Sequence, residues 1–301
     1  MQIKREVDFL NKCNSCPRNC VCDRERSLGF CKMPDRIFIA KYMLHQWEEP
    51  CLCGDGGAGT IFFSGCNLRC VFCQNKKISR GIAGEEYTPD QVLDIIRSLA
   101  NDGAKCIEFV TPTHFSNALI PILQKAKREI DLPFVWNSGG YESVDTLRKL
   151  EGLIDIYMPD IKYFSSELSR AYSNAENYYP VARAALCEML RQVGRPQFDK
   201  DGMLRSGVIM RHLVLPACRK DSIALLNDIA STLNSPSDVI LSLMSQYTPE
   251  FYDISDGGHK NLCRRLTDFE YTSVLQAAES LGFEGYFQGR ESADTAFTPK
   301  F

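Results

Sequence analysis

Long apolar runs are missing from this 301-residue sequence. None approaches the roughly 20 residues that a helix needs to cross a bilayer, so no membrane partner is expected. The opening MQIKREVDFL lacks the apolar core of a signal peptide, and the reading is of a cytoplasmic protein. A surplus of positive charge is missing too. With 35 Lys and Arg against 38 Asp and Glu, no basic field gathers nucleic acid, and no nucleic-acid partner is expected. What remains is the composition of an ordinary globular chain, long enough to bury a core without covalent staples, as one large α/β domain or two smaller ones.

Cysteine, by contrast, is abundant at 14 residues. Disulfide scaffolds are short secreted chains, which excludes that use here. Cys106, Cys187, Cys218 and Cys263 are scattered and read as small buried hydrophobes. The others crowd into the first 73 residues and read as ligands. Three of them follow an apolar strand in the run Thr60-Ile-Phe-Phe-Ser-Gly-Cys66-Asn-Leu-Arg-Cys70-Val-Phe-Cys73-Gln-Asn75. A strand ending in glycine and a short loop lets Cys66, Cys70 and Cys73 converge. Three thiolates hold a four-iron cube by three corners and leave the fourth iron open, which suits chemistry better than electron storage.

The C-x3-C-x2-C spacing, with Phe72 before the last cysteine, resembles the motif of the radical S-adenosylmethionine (radical SAM) superfamily. The longer run GTIFFSGCNLRCVFCQN resembles an uncharacterised subfamily related to the pyruvate formate-lyase activating enzyme. The resemblance implies a [4Fe–4S] cluster on Cys66, Cys70 and Cys73 whose open iron chelates SAM. It also implies an anaerobic oxidoreductase fed by an electron donor such as flavodoxin or ferredoxin.

Ahead of this motif, Cys13, Cys16, Cys20 and Cys31 form a C-x2-C-x3-C-x10-C set, with Cys22 to spare. A small segment of this kind has little core of its own, so zinc or a second iron–sulfur cluster would supply much of its folding energy; reduced packed thiols are the alternative. Cys51 and Cys53 stand too close together for an ordinary zinc knuckle and read as free thiols, a further cluster or a cap on the site. The segment HQWEEP brings His45, Glu48 and Glu49 beside Trp47; it reads as a solvated turn or, because the same subfamily carries HxxEEP there, as a segment near the substrate.

From residue 60 onward, strand and helix alternate. Helices are expected at 89–101, capped by Thr88, and at 116–130, 143–150, 165–173, 177–193, 219–233 and 267–281; strands are expected at 105–110, 133–137, 154–162, 207–215, 238–244 and 285–288. Short strands apolar on both faces argue a parallel sheet with right-handed crossovers. The fold class is α/β, and the resemblance makes it a partial (β/α)6 barrel, residues 56–301, behind a cysteine-rich metal-binding extension, residues 1–55.

Ligands of such folds sit at the carboxyl ends of strands. There the sequence offers Thr111, Thr113 and His114; Asn137 and Ser138; Asp160 and Lys162, an ion pair at i,i+2; Arg211; and Gln246. By resemblance these and Phe72 surround SAM, with Thr111 or Thr113 in place of a Gly-Gly-Glu motif, Asn137 where the family carries Asp, and Arg211 on the SAM carboxylate. His114 is the candidate catalytic residue, for proton handling or SAM contact, with a structural histidine as the other reading. The target implied is the backbone of a glycyl-radical partner protein, with a small molecule or peptide as the alternative within catalysis. From another class, a non-catalytic iron–sulfur or zinc module would carry electrons or dock a partner.

Overall fold

The computed structural model describes residues 13–81 and 83–289. Strand β1 (Ile37–His45) leads through a short helix, α1 (Pro50–Cys53), to β2 (Ala58–Phe63), every residue of which is buried. After the cysteine loop come α2 (Lys76–Ser79), β3 (Glu85–Tyr87) and α3 (Pro89–Asn101). In α3 the Thr88 hydroxyl accepts from the Gln91 N–H while the Gln91 side chain accepts from Thr88, and Val92, Leu93, Ile95, Ile96 and Leu99 turn inward. Alternation then runs β4 (Ile107–Val110), α4 (Ser116–Ala126), β5 (Phe134–Ser138), α5 (Val144–Lys149), β6 (Ile156–Pro159), α6 (Ser166–Ser173) and α7 (Tyr178–Val193). The chain closes with β7 (Gln197–Phe198), β8 (Leu204–Leu213), α8 (Arg219–Thr232), β9 (Ile240–Met244), α9 (Asp268–Ser280) and β10 (Gly285–Phe287).

Seven strands pair in parallel in the order β2-β4-β5-β6-β8-β9-β10, and the sheet does not close on itself, as a partial barrel requires. The sequence pattern misses two additions: β1 pairs antiparallel with β2 and carries β3 on its other edge, and the short β7 pairs antiparallel with β8. Part of the segment assigned to the extension therefore belongs to the sheet.

Alternate residues of the parallel strands face inward and stack in layers. The lowest holds Ala58, Ile156, Ile209 and Ile240, packed on Cys51, Leu52 and Cys53 of α1, which plugs the barrel from below. Above it the interior turns polar, with Thr60, Glu108, Asn137, Arg211 and Ser242. Phe62, Val110, Asp160, Leu213 and Met244 form the layer under the mouth.

Candidate functional site

The cysteine loop starts at Ser64-Gly65. Gly65 has φ +78°, and a Cβ there would lie 2.2 Å from Met33 Cγ and 2.7 Å from the Cys31 carbonyl, so only glycine lets the chain turn against the extension. Cys66 Sγ accepts from the Leu68 N–H at 3.3 Å, and Cys70 Sγ from the Ser173 hydroxyl at 3.0 Å. Phe72 meets Tyr163, Tyr172 and Tyr247 edge-on. All three cysteines open onto one cavity of about 330 Å³.

Burial pushes the Cys66 thiol up to about 12, with Cys70 adding to it, and burial followed by Cys70 also raises Cys73. Such thiols ionise readily only against positive charge, which bound iron supplies. Among the described residues no three His, Cys, Asp or Glu side chains close on one point as the ligands of a single ion do. The sulfurs of a cube bind three different irons and need not, so this donor set fits a cluster.

The same cavity is lined by Phe72, Thr111, Asn137, Ser138, Asp160, Lys162, Arg211 and Gln246, eight of the residues expected around SAM. Thr111 holds φ +58°, costly for a β-branched residue, while its N–H donates to the Asn137 carbonyl at 2.8 Å. Asp160 and Lys162 form the expected ion pair; burial alone would lower the Lys162 ammonium, but Asp160 outweighs it and holds the charge. Gln246 is fixed by Gln288, whose amide donates to it at 3.2 Å.

Two expectations are corrected. Thr113 and His114 turn away from the cavity into a short helical turn, Thr113–Phe115. Thr113 bonds Glu142, and His114, 1% exposed, pairs through Nε2 with the Ser64 carbonyl at 2.7 Å. Burial, then the nearby Arg24, drives His114 down to about 3, so it is a neutral structural residue rather than a proton carrier. Arg211, expected to present a free fork to a carboxylate of SAM, spends it within the protein. Its Nε donates to Glu49 at 2.7 Å and its Nη2 bonds both Glu48 and Glu49.

Those two glutamates belong to HQWEEP, which is a solvated turn only in part: Gln46, Trp47 and Pro50 are exposed, while His45 and Glu49 are buried and the Glu48 side chain folds under the cavity with them, above the α1 plug. The Glu48 and Glu49 side chains are 8% and 6% exposed. His45 Nε2 lies 3.7 Å from Glu48, and burial lowers the imidazole toward its neutral form. Burial acts to raise Glu49, but Arg211 wins and its carboxyl stays below the usual range. Glu108, which accepts from Thr60 at 2.9 Å and Asn137 at 2.6 Å, is pushed up to about 8 by burial and then by Glu48. Glu108 and Thr60 were legible as polar residues on the inner faces of two otherwise apolar strands, KCIEFV and AGTIFF. Cys51 and Cys53, raised by burial to about 11, are packed thiols in the plug.

In the extension, Cys13 and Cys22 are joined by a backbone bond of 2.9 Å, and Cys20 Sγ accepts from the Phe30 N–H at 3.3 Å. Burial pushes Cys16 up to about 12, and Cys13 and Cys31 raise it further; Cys31 feels Cys13 and Cys20. The four expected ligands are thus neighbours, though no three of them close to single-ion separation.

Residues 60–206 match the family model of the radical SAM superfamily. This stretch is a radical SAM domain. An uncharacterised protein of Methanocaldococcus jannaschii is 28% identical over 295 residues, 94% of this chain and 80% of that protein. A Haemophilus influenzae protein, provisionally named a glycyl-radical enzyme activating enzyme, is 27% identical over 118 residues, covering 36% of this chain and 42% of its own length. The fold is similar to that of a mutant spore photoproduct lyase with a dinucleoside spore photoproduct, at TM-score 0.50 and 11% identity over 74% of this chain and 73% of that one. Radical SAM membership implies a [4Fe–4S] cluster and SAM, and the cavity bordered by Cys66, Cys70 and Cys73 has donors suited to both.

Proposed function

We propose that this radical SAM protein cleaves SAM reductively and uses the 5′-deoxyadenosyl radical to abstract hydrogen from a substrate held inside the barrel. The carrying observation is that Cys66, Cys70 and Cys73 open onto the same cavity as Asn137, Arg211 and Ser242 of the buried polar layer. When bound, the reduced cluster supplies the electron that splits SAM into methionine and the radical. The chain's own part is to hold and to exclude. Cys66, Cys70 and Cys73 hold the irons; Phe72 and its tyrosine neighbours wall the loop; Thr111, Asn137, Ser138, Asp160, Lys162 and Gln246 offer hydrogen bonds to SAM. A flavodoxin or ferredoxin is the fitting electron donor, in an anaerobic cytoplasm.

Two targets fit this chemistry. The partial match to the Haemophilus influenzae protein supports activation of a glycyl-radical partner. The charged floor favours a small molecule, since a glycine backbone offers no charge to match it. For the shared step, anaerobically reconstituted protein with a strong reductant should turn SAM into 5′-deoxyadenosine and methionine, followed by chromatography. Cys70→Ala should lose both cluster absorbance and turnover, and full turnover in that variant would remove the assignment.

A further inference from the structure

The floor of the cavity sets two carboxylates, Glu48 and Glu49, against one guanidinium, Arg211. Among the described residues, Lys41 lies behind His45 and outside the cavity lining, and the other titratable groups around the floor do not restore the balance. His45 sits beside Glu48, but its burial favours the uncharged ring, and Glu108 is held by Thr60 and Asn137 as a carboxyl that keeps its proton near neutrality. Asp160 and Lys162, one layer up, neutralise each other. Among the described residues that line it, one negative charge is left over in a compartment closed below by α1 and its apolar layer. Buried charge without a partner costs several kcal/mol, so an arrangement of this kind persists where a ligand completes it.

We infer that this floor recognises a protonated amine, and that the hydrogen donor is a small molecule bearing one. This rests on the function proposed above and specifies its substrate. An anionic group would bring a third negative charge to the single arginine, which two carboxylates already engage. A neutral group would leave the excess charge in place. An ammonium group supplies the missing charge and three donors to a wall rich in acceptors: the Glu48 and Glu49 carboxylates and the Ser242 hydroxyl. In the reaction one C–H hydrogen of the amine passes to the 5′-deoxyadenosyl radical, giving 5′-deoxyadenosine and a carbon radical on the substrate.

The test uses reduced, cluster-loaded protein with SAM and a low-molecular-mass cell extract split on a cation exchanger at neutral pH. The retained fraction should raise 5′-deoxyadenosine formation over the basal rate by about tenfold, and acetylating its amines should abolish the rise. With that fraction, Glu48→Gln should raise the half-saturating concentration more than it lowers the maximal rate, whereas a merely structural role would lower the maximal rate and leave the half-saturating concentration unchanged. A rise confined to the unretained fraction, or none with either fraction while basal cleavage proceeds, overturns the amine. Absence of basal cleavage in the wild-type protein under dithionite is a different failure, that of the radical SAM reaction itself.

Discussion

Ser173 donates to Cys70 Sγ and shares a 2.7 Å hydrogen bond with the buried Tyr163 hydroxyl. A donor to a cluster sulfur stabilises the reduced state, so Ser173→Ala should lower the midpoint potential of the loaded protein by on the order of tens of millivolts, read by potentiometric titration. An unshifted potential would leave Ser173 a packing residue. His114 gives a pH prediction. Its folded value of about 3 lies below the ordinary 6.5, so between the two the unfolded chain binds the extra proton. This contribution is complete above pH 6.5 and drains away as pH falls toward 3, about 5 kcal/mol in all. Denaturant titrations should show wild type losing stability through that window more steeply than His114→Gln; parallel curves would refute the neutral histidine. At this scale the sequence revealed positions better than partners. Arg211 and Asp160 stand on the cavity wall where strand periodicity put them. What Arg211 bonds depends on a loop 162 residues earlier folding inward, a contact that no local pattern records.

Helices and strands were the most legible elements because each carries its own signals. Thr88 with Gln91 and Thr267 with Glu270 both form reciprocal caps, and α3, α8 and α9 begin and end within a residue of their expected limits. Strand β1 was not anticipated. Its register against β2 is nonlocal, and its burial alternates only over Ile37, Phe38, Ile39 and Ala40 before it blurs. The α1 plug was invisible for a different reason: a four-residue helix has no period to read, and its stability comes from the barrel above it. This coupling can be measured. Arg211→Ala leaves Glu48 and Glu49 buried without their cation and should cost roughly 3–5 kcal/mol in unfolding free energy, whereas an exposed substitution such as Lys220→Ala should cost little. Equal stability of the two variants would show that α1 is held by its apolar contacts alone.

Across the whole molecule, the cysteine-rich extension is docked onto the barrel rather than hung from it. Arg18 donates through Nε to the Asn67 carbonyl at 2.7 Å and through Nη2 to the Ser173 carbonyl at 2.7 Å, and its guanidinium lies 3.7 Å from the Phe30 ring centroid. One side chain thus ties the extension to the cluster loop and to the end of α6. Arg18→Ala should expose the segment around 13–31 to limited proteolysis while leaving the barrel intact, and an unchanged digestion pattern would show that other contacts suffice. The metal proposed for Cys13, Cys16, Cys20 and Cys31 should be separable from the catalytic cluster. Protein with Cys66, Cys70 and Cys73 all replaced by Ala should retain either zinc or iron with sulfide by elemental analysis. Neither metal above background, with the extension still protease-resistant, would leave these cysteines as packed thiols.

The carboxylates of the barrel floor come from a single uninterrupted stretch, residues 45–53, lodged between two strands that lie beside each other in the sheet. On the function proposed above, radical generation and much of the choice of target would be written in separate parts of the chain. A descendant could be retargeted by rewriting this one loop while its cluster and SAM contacts are inherited unchanged, which makes the segment a natural cassette for diversification and for engineering.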